Sequence, residues 1–118
     1  MFDNVVVGAS ASPSGARAVR RAAELASASG GTVHIVTAFR KKPADELLAQ
    51  LRLLASESSA RVRSHPLQSD PVEAITRVAT EEGADLIVVG SRDLGGSRRL
   101  SGVPRGVLDR AECAVLVV

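Results

Sequence analysis

The stretch that decides the fold spans residues 83–92 and reads GADLIVVGSR. Gly83 ends a helical pattern, and residues 85–89 form a short apolar run rich in β-branched side chains, which predicts a buried strand. Gly90 then opens a glycine-rich loop. In parallel sheets covered on both faces, ligands bind beyond the carboxyl ends of such strands. The segment therefore predicts an α/β fold with a candidate site directly after this strand.

The same alternation of apolar strands and amphipathic helices covers the rest of the chain. It predicts a β-α-β-α-β-α-β-α-β order, hence right-handed crossovers and a doubly wound, five-stranded parallel sheet with helices on both faces. A chain of 118 residues rarely divides, so residues 1–118 are expected to form one domain. The predicted strands are residues 4–9, 33–39, 60–65, 85–89 and 114–118. The loops after Val7 and Val89 should face each other.

Two helix starts carry capping residues. Ser12 suits an N-cap, with Pro13 at the first helical position. Asp70 and Pro71 repeat this arrangement, and Glu73 is placed to reach back as in a capping box. These signals fix where the first and third helices begin.

Composition excludes several classes of protein. The 15 Lys and Arg against 13 Asp and Glu give a net charge of only +2, and Phe2 and Phe39 are the only aromatic residues, which argues against nucleic-acid binding. No run approaches the roughly 18 apolar residues of a membrane span, and no secretory leader is recognisable. The single cysteine, Cys113, suits a reducing compartment. The sequence predicts a cytoplasmic protein with neither nucleic-acid nor membrane partners.

The histidines and serines give no sign of catalysis or metal binding. His34 lies in an apolar strand and is predicted to be a satisfied interior group, whereas His65 lies on a predicted edge strand and should be solvated. They are too far apart in sequence, and from Cys113, for the usual zinc spacings. No base lies near Ser10 in sequence. We therefore predict no catalytic residue and no metal site.

The final strand runs from Ala114 to Val118 with no charge and no polar alternation. An uncharged edge of this kind invites pairing with another chain. The simplest cover is the same strand of a second copy across a two-fold axis, so the sequence predicts a homodimer through Ala114–Val118.

The glycine-rich loop, residues 90–97, reads GSRDLGGS and offers backbone amides to an anion. It is not a P-loop, because Gly96 stands where the lysine belongs, and there is no GxGxxG dinucleotide motif. Arg92, Arg98 and Arg99 could still bind one phosphate. A basic, solvated face is the competing interpretation.

Four segments carry a resemblance to a known family. They are VVVG at 5–8, DP and AI at 70–71 and 74–75, GADLIVVGSR at 83–92, and VLDRAECAVLVV at 107–118. Over nearly its whole length the chain resembles a universal stress protein. The resemblance implies the adenine nucleotide alpha hydrolase-like fold, a strand order of 3-2-1-4-5 and dimerisation through the last strand.

ATP-binding members of that family share a loop of the form G-x2-G-x9-G-[ST] and an aspartate after the first strand. Gly90 matches the first glycine, but Asp93 replaces the second, where its carboxylate would repel a triphosphate. The loop is shorter whether Ser101-Gly102 or Gly102-Val103 is taken as its end, and Ser10 replaces the aspartate. The departures predict that ATP does not bind in the usual way.

The sequence therefore predicts a non-enzymatic regulatory or stress-response protein without a cofactor. Two alternatives remain: a sensor of AMP, cyclic AMP or ATP, and a weak ATP hydrolase. The resemblance places the candidate nucleotide contacts at Ala9, Ser10, Ala38, Gly90, Arg92, Gly95, Gly96, Ser97, Gly102 and Val103.

Overall fold

The computed structural model describes residues 1–9, 13–43, 45–91 and 102–118. Strands and helices alternate along the chain, as predicted. The elements are β1 (Asn4–Gly8), α1 (Pro13–Ala28), β2 (Thr32–Phe39), α2 (Asp45–Ala55), β3 (Arg61–Gln68), α3 (Pro71–Glu81), β4 (Leu86–Val89), α4 (Gly102–Arg110) and β5 (Ala114–Val117). Among the residues in these ranges, no helix is long and apolar enough to cross a membrane.

The five strands form one parallel sheet in the order β3-β2-β1-β4-β5. This confirms the doubly wound architecture and its strand order. β1 lies in the centre, paired with β2 on one side and β4 on the other, so the chain reverses its winding direction there. The two ends of the sheet are β3 and β5. The loops after β1 and β4 therefore leave the same edge from adjacent strands, the position where such folds bind ligands.

Two apolar cores cover the two faces of the sheet. Val5 and Val7 point into one core, which is shared with the buried side of α1 and with Leu51 of α2. Val6 points into the other core, which contains residues of α3 and Val107 of α4. This alternation along β1 follows from the period of two residues in a strand. The buried runs of the central strands are the sequence signal that identified the fold.

β3 is longer than the sequence indicated. The prediction of residues 60–65 is wrong, since the strand spans Arg61–Gln68 and includes Pro66, paired in register with Thr37. Proline is tolerated here because β3 is an edge strand, where a missing N–H need not break the ladder. The predicted alternation of exposed and half-buried side chains is present from Arg61 to Ser64 and breaks at His65, which is half-buried.

Asp85 lies just before β4 rather than in it, so the predicted start of that strand is one residue early. Its carboxylate accepts hydrogen bonds from the N–H groups of Asp3, at 2.9 Å, and Asn4, at 3.4 Å. The side chain therefore fixes the entry to β1. Likewise β1 ends at Gly8, one residue before its predicted end at Ala9.

The cap of α3 is confirmed in part. Asp70 accepts a hydrogen bond from the N–H of Glu73 at 3.2 Å, and Pro71 occupies the first turn. The Glu73 carboxylate does not complete the predicted capping box. It accepts from Arg77 at 2.7 Å, because Arg77 lies one turn further along the exposed face of the helix.

Candidate functional site

The carboxyl edge of the sheet brings the ends of β1, β2 and β4 together. Gly8 is in register with Val36 and Val89, and the Ala9 N–H donates to the Val36 carbonyl at 3.1 Å. Ala9, Ala38 and Gly90, three of the predicted nucleotide contacts, therefore lie along this edge. The register brings these three positions to one edge, and their contact with a nucleotide stays a prediction.

Gly90 allows a close approach between the end of β4 and the first turn of α1. A Cβ atom built on Gly90 would lie 2.6 Å from the main-chain oxygen of Ser14 and 2.8 Å from its carbonyl carbon. Side chains essentially never approach backbone atoms so closely. Glycine is therefore required here for packing, whether or not its amide also contacts a ligand.

Ser91 ties the beginning of the glycine-rich loop to the final residue of the chain. Its N–H and its hydroxyl both donate to the main-chain oxygen of Val118, at 2.6 and 2.8 Å. The Val118 N–H in turn donates to the Val89 carbonyl at 2.9 Å. The start of the loop is thus hydrogen-bonded to the residue that directly follows β5.

A cleft of about 500 Å³ opens at the carboxyl ends of β2 and β3. Ala38, Phe39 and Arg40 line one side, and residues 68–71 line the other. The Gln68 side-chain amide donates to the Arg40 carbonyl at 2.8 Å and joins the two sides. A volume of this size is within the range of small-molecule sites, and Phe39 supplies an apolar wall beside the Arg40 cation.

The remaining predicted contacts fall in two groups. Gly102 begins α4 with a φ of 61°, and the half-buried Val103 packs against the α3 side of the sheet. Predicted positions that lie outside the described residues are Ser10, Arg92, Gly95, Gly96 and Ser97, together with Asp93, Arg98, Arg99, Ser101 and the predicted cap Ser12.

A cluster that the sequence analysis missed joins His34 to His65. The prediction for His34 is confirmed, because the side chain is buried and its Nε2 atom lies 3.0 Å from Asn4 Oδ1. The prediction of a solvated His65 is wrong. That side chain is half-buried, and its Nε2 atom lies 3.0 Å from His34 Nδ1. Adjacent strands place the two rings on one face of the sheet.

Burial lowers the pKa of both histidines from the ordinary value. The charge of His65 lowers the His34 pKa further, while the Glu82 carboxylate opposes the shift in both. Arg63 lowers both. The two rings are therefore neutral at neutral pH.

Cys113 is half-buried against the α3 side of the sheet and lines a cavity of about 230 Å³ between α3 and the end of α4. Burial raises the pKa of its thiol, and the Asp85 carboxylate adds to this effect. A thiol with a raised pKa is a poor nucleophile. This agrees with the predicted packing role.

Residues 1–118 match the model of the Universal stress protein family, and the chain belongs to that family. Among curated relatives it is similar to universal stress protein Rv1636 of Mycobacterium tuberculosis (strain ATCC 25618 / H37Rv). The two are 33% identical over 143 aligned positions, which cover 99% of this chain and 96% of the relative. Because the alignment has more positions than this chain has residues, the relative carries insertions.

Solved structures agree with this assignment. A universal stress protein in complex with cAMP superposes with a TM-score of 0.88 at 34% identity, covering 99% of this chain and 96% of the other. A universal stress protein from Archaeoglobus fulgidus in complex with dAMP gives a TM-score of 0.77 at 23% identity, covering 99% and 97%. At that identity the second likeness concerns the fold alone.

Proposed function

We propose that this protein is a non-enzymatic regulator of the stress-response type that binds an adenosine monophosphate, cyclic AMP in particular, in preference to ATP. The cleft beside Ala38 carries the proposal. It lies at the carboxyl edge of the sheet, at the ends of β2 and β3 beside the strand β1 where the winding reverses. A relative with 34% identity was solved with cAMP. We also propose that residues 1–118 form a single domain and that the protein is cytoplasmic.

The preference for a small nucleotide rests on the sequence of the two loops. Asp93 places a negative charge in the stretch that would cradle a triphosphate, and Ser10 removes the family's aspartate. At 4 Å, the repulsion between a carboxylate and a phosphate is about 1 to 4 kcal/mol, depending on screening. A monophosphate does not extend so far along the loop, and it carries less charge.

The charges around the described part of the cleft favour binding of an anionic ligand and give no free base for its hydrolysis. Arg40 lines the cleft, and Lys41 and Lys42 follow it in sequence; all three side chains are exposed. Among the described residues that line it, the one carboxylate belongs to Asp70, which is engaged in capping α3. An engaged carboxylate is poorly placed to act as a general base. These features support binding without hydrolysis.

Calorimetric titration with ATP, AMP and cAMP tests the proposal directly. We expect saturable binding of cAMP or AMP and at least tenfold weaker binding of ATP. Tighter binding of ATP would contradict the proposed preference, and no binding of any of the three would contradict the sensor. Release of phosphate from ATP at a rate proportional to protein concentration would contradict the non-enzymatic role.

A variant at Arg40 locates the ligand. Arg40→Ala removes a cation from the cleft and should weaken cAMP binding about five- to tenfold, the effect of losing roughly 1 to 1.4 kcal/mol from a partly screened charge. Arg61→Ala is the matched control, because Arg61 is also exposed but begins β3 at the opposite edge of the sheet. Equal effects of the two substitutions would mean that the nucleotide does not bind in this cleft.

We also propose that the protein is a homodimer paired through Ala114–Val118. β5 is an edge strand with a half-exposed apolar surface, and its residues carry no charge. The Val118 N–H points toward β4, so strand alternation directs the Val117 N–H away from β4. That outward group is available to a second β5 across a two-fold axis.

Val117→Pro tests the dimer without breaking the ladder to β4, because the N–H that it removes points outward. Val117→Thr keeps that N–H and a similar shape, and serves as the control. Sedimentation velocity should show a dimer at micromolar concentration for the native chain and for Val117→Thr, and a monomer for Val117→Pro. A monomeric native protein, or a dimeric proline variant, would contradict the proposed interface.

A further inference from the structure

Three side chains that can ligate metals converge near the amino edge of the sheet. His34 is the third residue of β2, His65 comes from the neighbouring β3, and Glu82 directly follows α3. One ligand atom from each residue lies within 4.8 Å of the others. The cluster is on the α3 face, and its position in β2 places it toward the opposite end from Ala38 and the nucleotide cleft.

Asn4 orients the most buried of the three. Its side-chain oxygen can only accept, so His34 Nε2–H donates to it at 3.0 Å. In the neutral ring, His34 Nδ1 then carries the lone pair, and this atom points at His65 Nε2. Metal-bound histidines typically show this arrangement, in which the second nitrogen donates to a protein oxygen and fixes the first toward the ion.

The separation of the two nitrogen atoms suits a shared ion. Zinc binds histidine nitrogen at about 2.0 to 2.1 Å, so two ligands in tetrahedral geometry lie about 3.3 Å apart. The observed separation of 3.0 Å between His34 Nδ1 and His65 Nε2 needs only a small expansion. Binding also requires the His65 proton to move from Nε2 to Nδ1, which leaves the ring neutral.

Glu82 supplies an anionic third ligand with some freedom to move. Its carboxylate accepts from Arg63 at 3.5 Å, and the two side chains are 26% and 62% exposed, so this pair is weak. A rotation that closes the carboxylate on the histidines by no more than roughly 1.5 Å brings its oxygen to a tetrahedral separation. The half-exposed side of the cluster leaves a fourth position for water.

We propose that His34, His65 and Glu82 form a binding site for a divalent transition-metal ion, with Zn²⁺ as the expected ion. Two imidazoles and one carboxylate are a ligand set that favours zinc over the hard cations Mg²⁺ and Ca²⁺. Burial, which lowers the pKa of both rings, keeps them in the neutral form that binds metal. Asn4 is a positioning residue for this site.

Titration of the full chain with ZnCl₂ by calorimetry, and with CoCl₂ by visible absorption, tests the proposal. We expect one equivalent of each ion and a tetrahedral cobalt spectrum without a thiolate band. His65→Gln should weaken zinc binding by more than about 100-fold, since changes to residues that only orient ligands already cost 10- to 100-fold. His65 is half-exposed on an edge strand, so its replacement should disturb folding less than replacement of the buried His34 would.

Two glutamate variants provide the matched comparison. Glu82→Gln should weaken zinc binding by at least about tenfold, whereas Glu81→Gln, which makes the same charge change at the adjacent exposed position, should leave it within about twofold. Arg63→Gln should tighten binding, because it frees the carboxylate and removes a nearby positive charge. Circular dichroism of each variant checks that the fold is retained.

Several results would overturn the proposal. They are zinc binding no tighter than millimolar in the native chain, unchanged binding in His65→Gln, weaker binding in Arg63→Gln, or a thiolate band that disappears in Cys113→Ser. The last would assign the ion to the cysteine instead. Mg²⁺ competing equally with Zn²⁺ would also contradict the expected ligand set.

Discussion

Replacing Gly90 with alanine tests how rigidly the end of β4 is packed. The added methyl would lie 2.6 Å from the Ser14 main-chain oxygen, and ordinary contacts begin at 3.4 Å, so relief needs a movement of about 0.8 Å. Relief requires movement of backbone on both sides, at Gly90 directly after β4 and at Ser14 in the first turn of α1. Overpacking of this kind costs about 2 to 3 kcal/mol, which corresponds to a fall in Tm of about 6 to 15 °C for a chain of this length.

Urea unfolding followed by circular dichroism measures the loss, and Gly106→Ala is the matched control. Its methyl would also have a neighbour at 2.6 Å, but that neighbour is Cγ2 of the half-buried Val72 side chain and not backbone. Alanine is also favoured over glycine within α4 by about 0.5 to 1 kcal/mol. Gly106→Ala should therefore lower the free energy of unfolding by at least about 1 kcal/mol less than Gly90→Ala does.

The two variants together test whether contact with backbone causes the loss of stability. If Gly106→Ala lost as much stability as Gly90→Ala, then contact with backbone would not be the cause of the loss. If Gly90→Ala were neutral with an unchanged m-value, the close approach of β4 to α1 would be wrong. The same variant, where folded, should bind cAMP more weakly, since Gly90 is itself one of the predicted nucleotide contacts.

Three further outcomes are expected. In EDTA, the urea midpoint of unfolding should fall as pH drops from about 7.5 to about 5.5. Burial lowers the pKa of His34 and His65, so the unfolded chain takes up protons before the folded chain does. A midpoint that stays constant with pH would contradict these pKa shifts. Asp70→Ala should cost about 1 kcal/mol in thermal unfolding through loss of the α3 cap, while Ser69→Ala should cost little. Cys113 should react with a disulfide reagent more slowly in the folded protein than in urea, because burial raises its pKa.

Most of the fold could be predicted because its signals are local. The buried runs around Val6 and Val88, the cap at Asp70 and the glycines that end helices each act over a few residues. Gly30, at a φ of 67°, ends α1 as expected of glycine at that position. The boundaries that failed depend on partners distant in sequence. Asp85 leaves β4 because it binds the N–H groups of Asp3 and Asn4, and no local pattern contains that information.

The histidine cluster was missed for a related reason. Spacing rules for metal sites assume ligands that are close in sequence, whereas His34 and His65 meet only because β2 and β3 are neighbours. The predicted strand order placed these strands side by side. Strand order and the two-residue period of each strand do not say which residues of β2 and β3 share a face, so they did not bring the two rings together. What the order could not supply was the register, which pairs His34 with Arg63 and Val36 with His65.

Ser91 connects the two proposed interactions at the carboxyl edge. It directly follows Gly90 in the candidate nucleotide loop, and both of its donors bind the oxygen of Val118, at the end of the strand proposed to form the dimer. A displacement of β5 on dimer formation would be transmitted to the first residues of the loop through these bonds. Among the described residues, the hydrogen bonds of the histidine cluster lead to Asn4 at the amino end of β1, and none joins it to Ser91 or Val118. The geometry therefore links dimer formation more closely to nucleotide binding than to metal binding.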